Sequence, residues 1–225
     1  MKQSNKGEWL NKFIAWVYGR PGKTLKLVAV TGANASEVVA LSAEVLKADG
    51  KPTAYLAAHD FEISGQKQHD EKPLKPSRGL YQRFLQAAKR AGAEYVVIEL
   101  APEAVARNFL GDERFAVTIV TDNSKVDKLL EATAVPVLNK DLELPERPNM
   151  ISFGRHRNAD ARIDRVTPFK KGTEIQAMAQ GRRTELASFL TTDSAPMSIA
   201  AALALGLGVG INLEKIADGI ANLDS

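Results

Sequence analysis

The chain has 225 residues, 44% hydrophobic and 25% charged, a composition that supports a folded core and excludes disordered and fibrous classes. At about 150 residues per domain the length allows one large domain, with or without appendages. With 30 Lys and Arg against 27 Asp and Glu, the net charge of +3 is too small and too dispersed for a nucleic-acid-binding face, and the absence of cysteine excludes disulfides, thiolate catalysis and cysteine-bound metal.

Trp9, Leu10, Phe13, Ile14, Trp16 and Val17 recur at helical spacing, so residues 1–22 read as an amphipathic helix and linker, closed by Arg20-Pro21-Gly22. The apolar stretch 9–18 carries Lys12 and is too short for a bilayer span, which needs about 20 residues. It either docks on its own domain or makes peripheral contact with a membrane surface. Residues 23–225 read as one domain without a transmembrane segment, and the chain as a cytoplasmic protein.

From Leu25 to Thr31 a compact apolar run predicts a strand, and Ala35 to Ala48, closed by Gly50, predicts a helix. The unit then repeats. Strands are expected at 53–58, 95–100, 115–121 and 135–139, with helices at 79–91, from Pro102, and at 125–132. This alternation predicts an α/β fold, a mostly parallel sheet flanked by helices. Asp60 to Ser77, polar and with Pro73 and Pro76, reads as a surface loop, either a solvated connection or a former substrate loop beyond the strand ends. After Pro148, shorter strands at 150–153, 161–166 and 173–179 predict a small antiparallel extension, followed by helices at 196–205 and 213–223. Gly206-Leu207-Gly208-Val209-Gly210 follows a helix and reads as a helix stop. His59, His69 and His156 have no metal-ligand spacing, and no metal site is expected.

The first strand runs into Thr31-Gly32-Ala33-Asn34-Ala35-Ser36-Glu37-Val38 and then a helix. Strand, turn and helix N-terminus form the frame in which backbone N–H groups cradle phosphate, a lysine reaches the terminal phosphates and a hydroxyl holds magnesium. Here the frame is present without the lysine or the magnesium-binding hydroxyl.

At this loop the chain resembles the Mur ligases, in particular the UDP-N-acetylmuramoyl-tripeptide synthetase branch, whose loop reads T-G-T-N-G-K-T-T. Other stretches share the register. Tyr95-Val96-Val97-Ile98-Glu99 resembles the strand ending in the family's magnesium-associated glutamate, and residues 83–92 its lead-in helix. Val137-Leu138-Asn139-Lys140-Asp141 resembles V-x-N-x-D-D, Ile151-Ser152-Phe153-Gly154 the strand after it, and 198–206 the alanine-rich helix. The resemblance implies a P-loop-like central domain, with ATP and magnesium as the family's cofactors.

Carried over position by position, Gly32 and Asn34 match, whereas Ala35 replaces the second glycine, Ser36 the lysine and Glu37 the magnesium-binding hydroxyl. A carboxylate beside a phosphate is repulsive by about 4 kcal/mol at about 4 Å with an effective dielectric near 20. The family's Ser-Ser after the glutamate is represented by Ala101 between Leu100 and Pro102. Its histidine motif has no counterpart at 121–127, its carbamylated-lysine segment has none either, and its paired asparagines fall near Thr191 and Ser194. The family's UDP-binding and amino-acid-binding domains are expected to be absent.

These departures predict that ATP and magnesium binding is weak or lost and that no residue is catalytic. Thr31, Gly32, Asn34, Ser36 and Glu37 would form a vestigial phosphate loop, with Glu99, Asn139 and Asp141 as further family-matching positions. Asn34-Ala35-Ser36-Glu37 has the spacing of a capping box, in which Asn34 accepts from the first turn and Glu37 reaches back to the Asn34 N–H; the other possibility is that Glu37 points to solvent. The expected function is that of a non-catalytic Mur-ligase-like protein, a binding or regulatory partner of Mur ligases or other cell-wall enzymes in peptidoglycan precursor synthesis. Two alternatives stay open: an ATP-dependent amide-forming ligase with its missing domains supplied in trans, and a UDP-sugar or peptide binding module.

Overall fold

The computed structural model describes residues 24–123 and 126–223, so the 9–18 stretch lies outside the described residues. Eleven strands among those residues form one sheet. They are β1 (Lys26–Thr31), β2 (Thr53–Leu56), β3 (Asp60–Ile63), β4 (Gln66–His69), β5 (Tyr95–Glu99), β6 (Phe115–Val120), β7 (Thr133–Asn139), β8 (Ile151–Gly154), β9 (Ala161–Phe169), β10 (Gly172–Ala179) and β11 (Arg182–Ser188). The helices are α1 (Ala35–Ala48), α2 (Arg78–Arg90), α3 (Pro102–Ala106), α4 (Asp127–Glu131), α5 (Ala195–Gly208) and α6 (Leu213–Ala221).

The spatial order is β11-β10-β9-β8-β7-β6-β1-β5-β2-β3-β4. β2, β5, β1, β6, β7, β8 and β9 are mutually parallel neighbours, so the carboxyl ends of the central strands share one edge. β1 lies at the middle, and its side chains alternate between the two cores as strand geometry requires. Val28 and Val30 join the cluster under α1, α5 and α6, while Leu27 and Ala29 join the one under α2, α3 and α4. Burial on both faces is why the central strands read as continuous apolar runs rather than alternating ones.

Helix α1 forms over Ala35–Ala48, as its periodicity predicts, and buries Ala35, Val38, Val39, Leu41, Ser42, Ala43, Val45 and Leu46. It is a central helix, packed on the sheet and also against α5 and α6.

Two expectations about the sheet need correction. The segment 60–77 is not all loop: β3 and β4 form a hairpin that extends the sheet antiparallel from β2. Its turn, Ser64-Gly65, has φ of 53° and 77°, the positive pair of a two-residue type I′ connection. The second correction concerns residues 150–153. This strand belongs to the parallel part, pairing with β7 and β9, and the antiparallel extension begins only at β9–β10 and includes β11. The Gly-rich stretch also differs in part, since Gly206 and Gly208 lie inside α5 and only Gly210, at φ 78°, falls beyond the helix end. No helix among the described residues is long and apolar enough to cross a membrane.

Candidate functional site

The loop between β1 and α1 sits at the carboxyl edge of the sheet, where an open α/β sheet binds its ligands. Gly32 has φ 108°, and a Cβ there would stand 2.6 Å from Thr121 Oγ1 and 2.9 Å from the Asp122 backbone N, so the turn is built for glycine. The Thr121 hydroxyl, at the end of β6, donates to the Ala33 and Thr31 carbonyls and ties the loop to the neighbouring strand. Thr31 itself is fully buried.

The capping box is not formed. Asn34 is left-handed, at φ 58° and ψ 22°, rather than in the extended region from which a capping side chain reaches the first turn, and it makes no side-chain cap. Nor does Glu37 point to solvent. Its Oε2 accepts from Ser194 Oγ at 3.0 Å and from Ser198 Oγ at 2.9 Å, both on or beside the first turn of α5. Glu37 lies in the first turn of α1 as well. One carboxylate therefore sits where two helix N-termini meet, and both macrodipoles favour negative charge there.

The neighbouring side chain closes the other half of the loop. Ser36 Oγ donates to Glu99 Oε2 at 2.6 Å, and the same oxygen accepts from the Ala58 backbone N at 2.8 Å. Glu99 thus joins the end of β5 to α1 and to the chain leaving β2. Tyr81, on α2, donates to the Glu99 carbonyl at 3.3 Å. Burial, and then the Glu99 charge, push its phenol well above the usual tyrosine range, so it remains a neutral donor.

Asn139 and Asp141 lie two strands away along the same edge and do not join this cluster through any hydrogen bond in the described residues. Asn139 Oδ1 accepts from the Asp141 N at 3.0 Å, an Asx-type turn. The Asp141 carboxylate accepts from the Arg155 N at 2.9 and 2.8 Å and from the His156 N at 2.7 Å. A Cβ on Gly154, at φ 136°, would come within 2.8 Å of that carboxylate, so these residues form the turn after β8. His59 and His69 stack at 6.2 Å on the β3–β4 hairpin, with His69 Nδ1 2.6 Å from Asp60 Oδ1. No three His, Asp or Glu side chains among the described residues converge as a metal site.

Sequence reasoning missed Thr121, Tyr81, Ala58 and Ser198 as parts of this site. Thr121 and Ala58 are the last residues of the strands predicted at 115–121 and 53–58, which is the signal that brings them near the loop. Ser198 is visible as the one hydroxyl in an otherwise apolar helix, near its start.

Among solved structures, a UDP-N-acetylmuramoyl-L-alanyl-D-glutamate–2,6-diaminopimelate ligase superimposes with a TM-score of 0.74 over 97% of this chain and 50% of that one, at 20% identity. The chain has the fold of the Mur ligase central domain. Curated relatives lie in the same branch. The ligase of that name from Solibacter usitatus (strain Ellin6076) is 25% identical over 233 aligned residues, 92% of this chain and 47% of the relative. A UDP-N-acetylmuramyl-tripeptide synthetase from Roseiflexus sp. (strain RS-1) is 29% identical over 118 residues, 50% of this chain and 23% of the relative. The chain spans less than half the length of the curated relatives it matches. No family model matches it.

The Mur-type loop as built gives one stability prediction. Glu37→Ala leaves the Ser198 hydroxyl without its acceptor and Ser194 with only Thr192 Oγ1 at 3.0 Å, and costs about 1–2 kcal/mol, whereas Glu37→Gln, which keeps a carbonyl oxygen, costs under about 1 kcal/mol. In urea unfolding, a Glu37→Ala/Ser198→Ala cycle shows coupling, and a Glu37→Ala/Asn34→Ala cycle shows none. Coupling of Glu37 to Asn34 in place of Ser198 contradicts this assignment.

Proposed function

We propose that this chain is a non-catalytic relative of the Mur ligases, with a vestigial phosphate loop, acting in the cytoplasm as a binding or regulatory partner of peptidoglycan precursor synthesis. The observation that carries the proposal is the pairing of Ser36 with Glu99 and of Glu37 with Ser194 and Ser198. Ser36 and Glu37 stand where the resemblance puts the lysine and the magnesium-binding hydroxyl. These residues do not fit a triphosphate with magnesium. The serine is held by the glutamate that the family associates with the metal, and a carboxylate takes the place among helix N-termini that favours an anion.

The curated relatives are named as ligases, and a domain that keeps their fold without their phosphate chemistry retains surfaces for recognition. The chain's own contribution would then be binding, to a Mur ligase or another cell-wall enzyme. The test combines turnover and capture. The purified chain, supplied with ATP, magnesium, the UDP-linked dipeptide and diaminopimelate, is expected to release no phosphate above the protein-free rate. Immobilised, it is expected to retain a Mur ligase from the same organism. Phosphate release that depends on the UDP-linked substrate overturns the non-catalytic reading, and failure to retain any peptidoglycan enzyme overturns the partner reading.

A further inference from the structure

We propose that the outer edge of β11 is a self-association surface, on which β11 of a second copy of this chain pairs antiparallel about Thr184. β11 stands last in the sheet, so the backbone N–H and C=O groups on its outer side face no strand of the described residues. Such an edge is a template for pairing unless it is short, charged, kinked or covered.

The two ends of the sheet differ in this respect. β4, at the opposite end, is four residues long, Gln-Lys-Gln-His, and exposed throughout, a build that resists pairing. β11 runs seven residues without proline and holds an unshifted register with β10 from Arg182 to Ser188; it does carry charges, Arg182, Arg183 and Glu185, but of both signs, so they discriminate among registers rather than bar pairing outright. Leu186 and Ser188 are buried on the side covered by α6, while Arg183, Glu185 and Ala187 are exposed on the other side. Gln176 Nε2, on β10, donates to Glu185 Oε1 at 3.2 Å and holds that carboxylate on the open face.

The charges select the register. A two-fold axis perpendicular to the sheet keeps each face on its own side, so odd-numbered residues of one copy meet odd-numbered residues of the other. Centred on Arg183, the pairing sets arginine against arginine, and centred on Glu185 it sets glutamate against glutamate, both unfavourable. Centred on Leu186, it puts Glu185 against Ala187 and leaves the charges unmatched. Centred on Thr184, Arg183 of each copy faces Glu185 of the other, twice over by symmetry, and Thr184 faces Thr184. Opposite charges and paired threonines are both favourable cross-strand neighbours. The contact is isologous, so it consumes both free edges and closes as a dimer without propagating into a fibre.

Sedimentation equilibrium on the full chain tests the proposal. The wild type is expected to show a reversible monomer–dimer equilibrium that shifts toward monomer as salt is raised. Glu185→Arg and Arg183→Glu each place like charges opposite one another at both symmetric positions and are expected to weaken the dimer about tenfold or more. The double variant Arg183→Glu/Glu185→Arg restores complementarity in reversed order and is expected to return to within about threefold of the wild type. Both positions are exposed, so circular dichroism should show each variant folded. A wild type that stays monomeric at its highest soluble concentration overturns the proposal, as does a dimer indifferent to the single reversals or one that the double reversal fails to rescue.

Discussion

Gly219→Ala is expected to destabilise the chain by about 2–3 kcal/mol, the cost of forcing an extra methyl into a packed interior. Gly219 lies in α6, and a Cβ there would stand 2.5 Å from Val45 Cα, 2.8 Å from Val45 N and 2.8 Å from Glu44 O, all backbone atoms of α1. No rotamer change relieves a contact with backbone. Nor is α1 free to shift, since it is wedged between the sheet, α5 and α6 with eight of its fourteen residues buried. The gain in helix propensity from Gly to Ala, about 1 kcal/mol, offsets only part of that cost. Gly79→Ala, in α2, is the control. A Cβ there meets nothing within 4 Å, so the gain in helix propensity is unopposed and the variant is expected to be as stable as the wild type or up to about 1 kcal/mol more so. Urea midpoints at constant slope give both numbers, and a Gly219→Ala protein as stable as the wild type contradicts the close α1–α6 packing described here.

That close packing was not legible in the sequence, because nothing local marks a glycine inside Leu213–Ala221 as a helix contact. The parallel core was legible, since strands buried on both faces must be continuous apolar runs, and β1, β5 and β6 are. The β3–β4 hairpin was hidden by composition. Phe61 and Ile63 are its only apolar residues, so alternation lasts for just the four residues of β3, and β4 is polar throughout; the Ser64-Gly65 pair is the one other local mark. β8 has the length of an antiparallel strand and only the pairing partner shows that it is parallel.

The site divides along the same line. The strand–turn–helix frame of the loop was legible because it is encoded in consecutive residues, whereas Glu99 was singled out only by its resemblance to the family's glutamate at a strand end. The capping box was a local inference too, and it failed because its premise, an extended Asn34, competes with the left-handed turn that carries the chain from β1 into α1. Partners of Glu37 come from residues more than 150 positions away, on α5, and no spacing rule reaches them.

The second large effect expected is on nucleotide affinity. Ala35→Gly, Ser36→Lys and Glu37→Thr together remove the carboxylate from the helix N-termini, release Glu99 from Ser36 and supply a cation and a hydroxyl. Replacing a like-charge repulsion with an attraction over a few ångströms is expected to tighten binding of a non-hydrolysable ATP analogue with magnesium at least about tenfold. Hydrolysis should remain absent, because no counterpart of the family's histidine motif is found at 121–127. Stability of the triple variant is followed alongside, since it gives up the Ser36–Glu99 and Glu37–Ser194/Ser198 hydrogen bonds.

The central claim, that the loop is closed by its own side chains, is tested most directly by calorimetric titration of the wild-type chain with the same ATP analogue and magnesium. With Glu37 held by Ser194 and Ser198 and no lysine in the loop, no saturable binding is expected below about 1 mM, an affinity equivalent to about 4 kcal/mol. Saturable binding in the micromolar range, abolished by chelating the magnesium, would contradict it.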